Sequence, residues 1–224
     1  LVGLGVYWYA HKNAEFYYNI SENFRGITFT DMRVTSDSYI VDPNLKDENG
    51  YNMDLGVRGS IKKWFSYDVS TFLLEYKNRI GFVRERDANF DIFRYTRNIG
   101  ESRSMGVESY FEIDLFSLAG KEKKYGNLVL YSSIGYVNAF YTKAYIPSLE
   151  GNKLEFAPTW NIRPGINYRF KKLSTSVQFA YVSEQFTDAT NTSLDPTAVA
   201  GLVPAYYVCD WSINYSYKWL QTGA

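Results

Sequence analysis

The strongest constraint in this sequence is an alternation of apolar and polar residues that repeats every second position. From Trp160 one face reads Trp160, Ile162, Pro164, Ile166, Tyr168, Phe170, while the other reads Asn161, Arg163, Gly165, Asn167, Arg169. The pattern returns after Tyr206, where Tyr207, Cys209, Trp211, Ile213, Tyr215, Tyr217 and Trp219 alternate with Asp210, Ser212, Asn214, Ser216 and Lys218. A third case sets Tyr51, Met53, Leu55, Val57 and Ile61 against Asn52, Asp54, Arg58, Ser60 and Lys62. Successive strand side chains point to opposite faces, so the pattern specifies two-sided sheet. No stretch of comparable length keeps a helical period.

This reading predicts about nine strands, near 2–10, 14–25, 51–62, 65–86, 91–116, 127–146, 154–171, 173–188 and 206–220. Their connections alternate in length. Short links fall at His11–Asn13, Lys62–Trp64 and Lys171–Lys172, with a Gly/Lys-rich turn at Ala119–Gly126. Longer ones fall at Gly26–Gly50 and Ala189–Ala205, with intermediate links at Pro147–Lys153 and around Asp87–Asn89. Short turns at one end and long loops at the other are the layout of an up-and-down antiparallel transmembrane barrel.

A soluble carbohydrate-binding β-sandwich also alternates, so the periodicity must be weighed against other features. The strands exceed the usual globular length of about five or six residues. Aromatics gather beside the short turns, at Trp8, Phe16, Trp64, Phe65, Phe116, Tyr168, Phe170, Tyr217 and Trp219, as an interfacial girdle would. The polar face carries full charges, among them Asp54, Arg58, Asp68, Glu108, Glu112, Asp114, Arg163, Arg169 and Asp210, which suits a wet or plugged lumen. The longest apolar run, Leu1–Ala10, is too short for a membrane helix of roughly 20 residues, whereas a tilted membrane strand needs only about 10. Lys+Arg and Asp+Glu both number 24, and this neutral balance leaves no footprint for nucleic acid or for an anionic membrane surface.

Catalytic constellations are absent. The single His11 lies in a short turn, away from any loop that would complete a triad. Cys209 falls on the apolar face and reads as a small lipid- or core-facing residue, and one Cys with one His cannot close a metal site. Glu112 and Asp114 share a strand face without a cleft. No enzyme activity, cofactor or metal is expected.

One region carries more than pattern. Asp42-Pro43-Asn44-Leu45-Lys46-Asp47 leads into Gly50-Tyr51-Asn52 and Asp54-Leu55-Gly56-Val57-Arg58-Gly59, then Phe65-Ser66-Tyr67-Asp68-Val69-Ser70 and Tyr76-Lys77-Asn78-Arg79-Ile80-Gly81. Arg97-Asn98-Ile99-Gly100-Glu101-Ser102 follows, then Gly106-Val107-Glu108; upstream stand Asn19-Ile20-Ser21-Glu22-Asn23-Phe24-Arg25 and Thr28-Phe29-Thr30-Asp31-Met32-Arg33. These motifs, across residues 19–110, resemble the barrel domain of TonB-dependent outer-membrane receptors, particularly the ferric dicitrate receptor-like group. Gly26-Ile27 departs slightly from the Arg-Pro usual in that family.

The resemblance implies a 22-stranded barrel of which residues 1–224 form about nine strands, with the plug domain and terminal strands outside this sequence. It implies outer-membrane uptake of an iron chelate, ferric citrate or siderophore-like, in a Gram-negative bacterium. The expected partners are membrane lipid, lipopolysaccharide, the chelate, and the TonB complex through a missing N-terminal region. Near the long-loop end Arg84, Arg86, Arg94, Arg97 and Arg103 are candidate ligand residues, because guanidinium forks match carboxylates. On the polar face Glu108, Asp54, Arg58 and Arg163 are candidate plug- or lumen-facing residues. The alternatives are a passive porin, a glycan or cobalamin receptor barrel, and the soluble sandwich.

Overall fold

The computed structural model describes residues 2–86, 90, 92–194, 201–217 and 220–223, with backbone alone at Arg84, Ile92, Tyr217 and 220–223. Its regular structure is nearly all strand: β1 (Gly3–His11), β2 (Ala14–Arg25), β3 (Tyr39–Val41), β4 (Glu48–Ile61), β5 (Phe65–Arg86), β6 (Ile92–Asp114), β7 (Asn127–Ala144), β8 (Trp160–Phe170), β9 (Leu173–Val182), β10 (Gln185–Phe186), β11 (Leu202–Val203), β12 (Tyr206–Tyr217) and β13 (Leu220–Gly223). The main sheet runs β1-β2-β4-β5-β6-β7-β8-β9-β12-β13 in antiparallel neighbours, and β3 joins β6 in parallel beyond the reach of β7. β10 and β11 pair separately. One continuous sheet with no second sheet packed on it, among the described residues, removes the sandwich reading. The sheet does not close, because β1 and β13 remain its two edges.

Register carries the alternation across the whole wall. Trp8, Phe16, Val57, Val69, Ser109, Ile134, Ile162, Tyr181 and Tyr207 stand opposite one another in succession. One residue along, Tyr17, Gly56, Ser70, Glu108, Gly135, Asn161, Val182 and Tyr206 make a second row on the other face. Large apolar residues of the first face lie bare, with Leu55 54% and Trp211 68% exposed. A water-soluble sheet would have covered them. On β5 this outward face carries no charge from Phe65 to Leu73 and meets Glu75 next. Those ten steps span roughly 33 Å along the strand, hence about 25 Å across a bilayer at the usual tilt.

The second face is laced by polar contacts between strands. Arg58 pairs with Glu15 at 2.9 Å and stacks on the Tyr17 ring, whose hydroxyl donates to Asp68 at 2.9 Å. Tyr110 donates to Glu112 at 2.8 Å, and the Ser176 and Ser212 hydroxyls bond at 2.8 Å. The Tyr17 ring lies over Gly56 and the Tyr131 ring over Gly165. A Cβ at either glycine would sit 2.3 or 2.2 Å from the ring, so only glycine lets these rings lie flat on the neighbouring strand.

β4 begins at Glu48, not 51, and β7 ends at Ala144, not 146; three further boundaries differ for local reasons. β6 stops at Asp114, not 116, because the Asp114 carboxylate accepts from Phe116 and Ser117 N–H at 3.1 Å and starts a short helix, α1 (Leu115–Leu118). A second turn of helix, α2 (Glu122–Tyr125), completes that connection. β8 begins at Trp160, not 154, since residues 152–159 bond irregularly to the free edge of β7, as from Leu154 N–H to Ala139 C=O at 3.0 Å. β9 ends at Val182, not 188, where the chain turns into the last long loop. The link around Asp87–Asn89 and the girdle residue Trp219 lie outside the described residues, as does the Tyr217 side chain.

The long connection 26–47 is pinned at both ends. Arg25 bridges Asp31 at 2.8 Å and Glu48 at 2.9 Å, and Asp31 also accepts from the Thr28 N–H and hydroxyl. Burial pushes the Asp31 carboxyl up, but the Thr28 and Arg25 hydrogen bonds outweigh it and hold the group below its ordinary 3.8. Asn98 clamps the far end, accepting from Lys46 N–H and donating to Lys46 C=O, both at 2.8 Å.

Folded into bilayers, Ile213→Arg or Ile166→Arg is expected to cost ~2–4 kcal/mol near the midplane in urea unfolding. Ser212→Arg is expected to cost about 1 kcal/mol at most, the worth of the Ser176 hydrogen bond. A depressed carboxyl stabilises above its unfolded value and ceases to as pH falls through its folded one. Loop 26–47 should therefore stay pinned at neutral pH and loosen below about pH 3.8. Asp31→Asn should loosen it at neutral pH already, read as several-fold faster tryptic cleavage after Arg33.

Candidate functional site

The long-loop end of the second, inward face holds the only packed apolar cluster among the described residues. Val83, Ile99, Ala139, Tyr141 and Leu154 are buried there, with Tyr95, Val137, Ile146, Ala157 and Ala189 against them. The Tyr141 side chain is fully buried, and its hydroxyl donates to Glu155 at 2.9 Å. Loop 145–159 is zipped to the next one by amides: Asn152 donates to Ala189 C=O at 2.9 Å, and Asn191 accepts from Lys153 N–H at 2.8 Å.

A bulge decides which arginine reaches this cluster. Between Tyr76 and Arg79 the β5–β6 register shifts, with Asn78 at φ 55°. Strict alternation from Leu73 and Glu75 would send Arg79 outward. The extra residue turns it inward, where it donates to the Ser102 hydroxyl at 3.3 Å and approaches the Tyr141 ring at 5.9 Å. Its neighbour Arg97 lies 3.3 Å from the Tyr145 ring centroid and 5.3 Å from that of Tyr95, with Glu85 at 4.0 Å. The Nε atoms of Arg79 and Arg97 are buried without a hydrogen-bond partner, as is that of Arg94. The result is a pair of guanidinium groups framed by three tyrosines.

The five expected arginines do not form one group. Arg97 belongs to the pair just described. Arg94 is on the opposite face of the β5–β6 extension, stacked on Phe82 at 3.7 Å and near Tyr39 at 5.3 Å. Arg103 points outward, ion-paired with Glu75, directly above the uncharged band. Arg86 is exposed toward the hairpin tip, and the Arg84 side chain lies outside the described residues. Arg79 is not among the candidates, which are chosen by nearness to the long-loop end, and period-two counting would place it outward. The signal was the Asn78-Arg79 pair, since Asn tolerates the positive φ a bulge requires.

Lower on the inward face is a hollow of about 450 Å³ between β2 and β8, roofed by Ala157 and Pro158 from loop 145–159. Glu108 and Arg163 line it with Asp68, Tyr110 and Asn161. Asp54 and Arg58 share its face toward β2, engaged by Asn52 at 2.6 Å and by Glu15. The glycines of the Gly100 and Gly106 motifs serve the wall itself: a Cβ there would strike the carbonyl oxygens of Lys143 and Tyr136 on β7.

Known proteins share this architecture. The family model described as TonB dependent receptor-like, beta-barrel matches residues 3–223. The ferric citrate transporter FecA, unliganded, superposes with a TM-score of 0.74 at 21% identity, over 96% of this chain and 30% of that one. A mutant of the ferric enterobactin receptor PfeA from Pseudomonas aeruginosa gives 0.71 at 13%, over 99% and 33%. The copper transporter OprC gives 0.70 at 13%, over 96% and 31%. The chain thus spans about a third of the length of these proteins, and at such identities the likeness establishes the fold. No curated protein sequence matches it. With the family model covering the sheet from β1 to β13, the chain belongs to the TonB-dependent receptor-like β-barrel family.

Proposed function

We propose that this chain forms part of the barrel wall of an outer-membrane receptor that takes up an anionic iron chelate, ferric citrate or a carboxylate-bearing siderophore, in a Gram-negative bacterium. The carrying observation is the inward pair Arg79 and Arg97 beneath the long loops, set among the rings of Tyr141, Tyr145 and Tyr95. A planar fork with unused donors suits a carboxylate-rich anion, and the surrounding tyrosines offer further hydroxyl donors. Iron-chelate transporters among the superposed structures support the class of cargo, FecA by its name most directly.

In this reading residues 1–224 belong to one barrel domain, and the remaining strands and a plug lie elsewhere in the receptor. The open edges at β1 and β13 are where further strands would pair. Glu108, Arg163, Asp54 and Arg58 face the plug, giving it charges to engage, and coupling to TonB runs through that plug. Lipid and lipopolysaccharide meet the outward face, with Arg94 and Arg86 toward the surface.

The test is equilibrium binding to the full receptor in detergent. Loss of a charge-assisted hydrogen bond is worth about 1.5–3 kcal/mol, so Arg97→Gln and Arg79→Gln should each weaken ferric citrate roughly 10- to 100-fold. Heat-modifiable gel migration should be unchanged, and Arg103→Gln should bind as the native receptor does. Unaltered affinity in both inward variants, or preference for an uncharged ligand, would contradict the proposal.

A further inference from the structure

The neutral total charge conceals one strongly basic end. The turn at His11–Asn13 brings Lys12, and that at Lys62–Trp64 brings Lys62 and Lys63. Lys171 and Lys172 are the β8–β9 turn, and the α1–α2 connection adds Lys121, Lys123 and Lys124. Glu122 is the single acid in these four turns. At the other end the charges are mixed: residues 26–47 hold four acids to two bases and residues 183–205 three acids and no base, whereas residues 77–103 hold seven bases to four acids. No described ion pair includes Lys121, Lys123, Lys124 or Lys171.

The position of these lysines matters as much as their number. Tyr168 and Phe170 belong to the outward row of β8. Phe116 of α1 packs edge-on against Tyr168 at 6.3 Å and against Tyr125 of α2 at 5.7 Å. The α1–α2 connection therefore leans over the outward side of the rim, with Leu118 51% exposed. The Lys171 ammonium lies 5.0 Å from the Phe170 ring, and that of Lys124 lies 5.0 Å from the Tyr125 ring. Around them stand Trp8 on Phe16 at 5.4 Å and Trp64 beside Phe65 at 5.8 Å. Aromatic rings at headgroup depth with ammonium groups just beyond them is the arrangement that reaches lipid phosphates.

Resting on the membrane-barrel reading, we propose that this lysine crown, led by Lys121, Lys123, Lys124 and Lys171, binds anionic phospholipid headgroups in the leaflet at the short-turn end. Each lysine near an anionic surface is worth about a fivefold preference at ordinary salt, screened as salt rises.

The full receptor, folded in neutral detergent, is exposed to equal phosphatidylglycerol and phosphatidylcholine, and retained lipid is counted by native mass spectrometry. Phosphatidylglycerol should be retained roughly tenfold or more over phosphatidylcholine at low salt. Combining Lys121→Gln, Lys123→Gln, Lys124→Gln and Lys171→Gln should remove most of that preference with unchanged heat-modifiable migration. Lys143→Gln with Lys153→Gln, at the long-loop end, should keep it. Equal retention of the two lipids by the folded receptor overturns the proposal alone, as does a preference that survives the fourfold replacement or falls equally in the control. A chain that shows no heat-modifiable band overturns the membrane reading itself, and the proposal with it.

Discussion

Everything in this structure hangs on one unbroken ladder of antiparallel backbone hydrogen bonds from β1 to β12. Inside a bilayer no water can satisfy an amide, so a strand wall survives there only if each strand is bonded on both sides. The ladder has a second consequence: it carries parity. Because the rows that begin at Trp8 and at Tyr17 never exchange faces through the membrane-height part of the sheet, one surface can be apolar and bare while the other is charged and cross-linked. Sheet pairing, more than any buried core, gives the wall its two chemistries, and the packed cluster around Tyr141 serves only the loop end.

That dependence explains what could be read from residue types alone. Strand positions, face assignments and the contrast of short and long connections all follow from period two, and β2 and β5 fall where it placed them. Local competition for backbone groups erased the signal elsewhere. The Asp114 carboxylate captured the N–H groups of Phe116 and Ser117, so helix replaced strand. Residues 154–159 alternate plausibly but bond to the spare edge of β7 instead of to β9. Parallel addition of β3 to β6 depends on contacts more than fifty residues apart, with the Asn98–Lys46 amide pair beside it, and no periodicity announces such a pairing.

The long-loop end was the hardest part to foresee. Arginines close together in sequence look like one cationic patch, yet Arg94, Arg97 and Arg103 point to three different environments once the bulges are in place. A register shift of one residue turned Arg79 inward, while Arg103, which lies before the shift, keeps the outward parity of its row. Likewise the balance of 24 bases and 24 acids says nothing of the basic rim at the short-turn end. Counting charges over a chain whose ends lie on opposite sides of a membrane averages away the quantity that matters.

Parity through the bilayer is the claim on which the rest depends, and cysteine scanning of β12 measures it most directly. Single cysteines from Val208 to Tyr215, in a Cys209→Ser background of the full receptor in membranes, would be labelled with membrane-soluble and membrane-impermeant maleimides. Strict alternation is expected: positions 211, 213 and 215 labelled only from lipid, positions 208, 210, 212 and 214 only from water. Equal labelling of both sets, or an alternation of the opposite phase, would contradict the barrel wall described here.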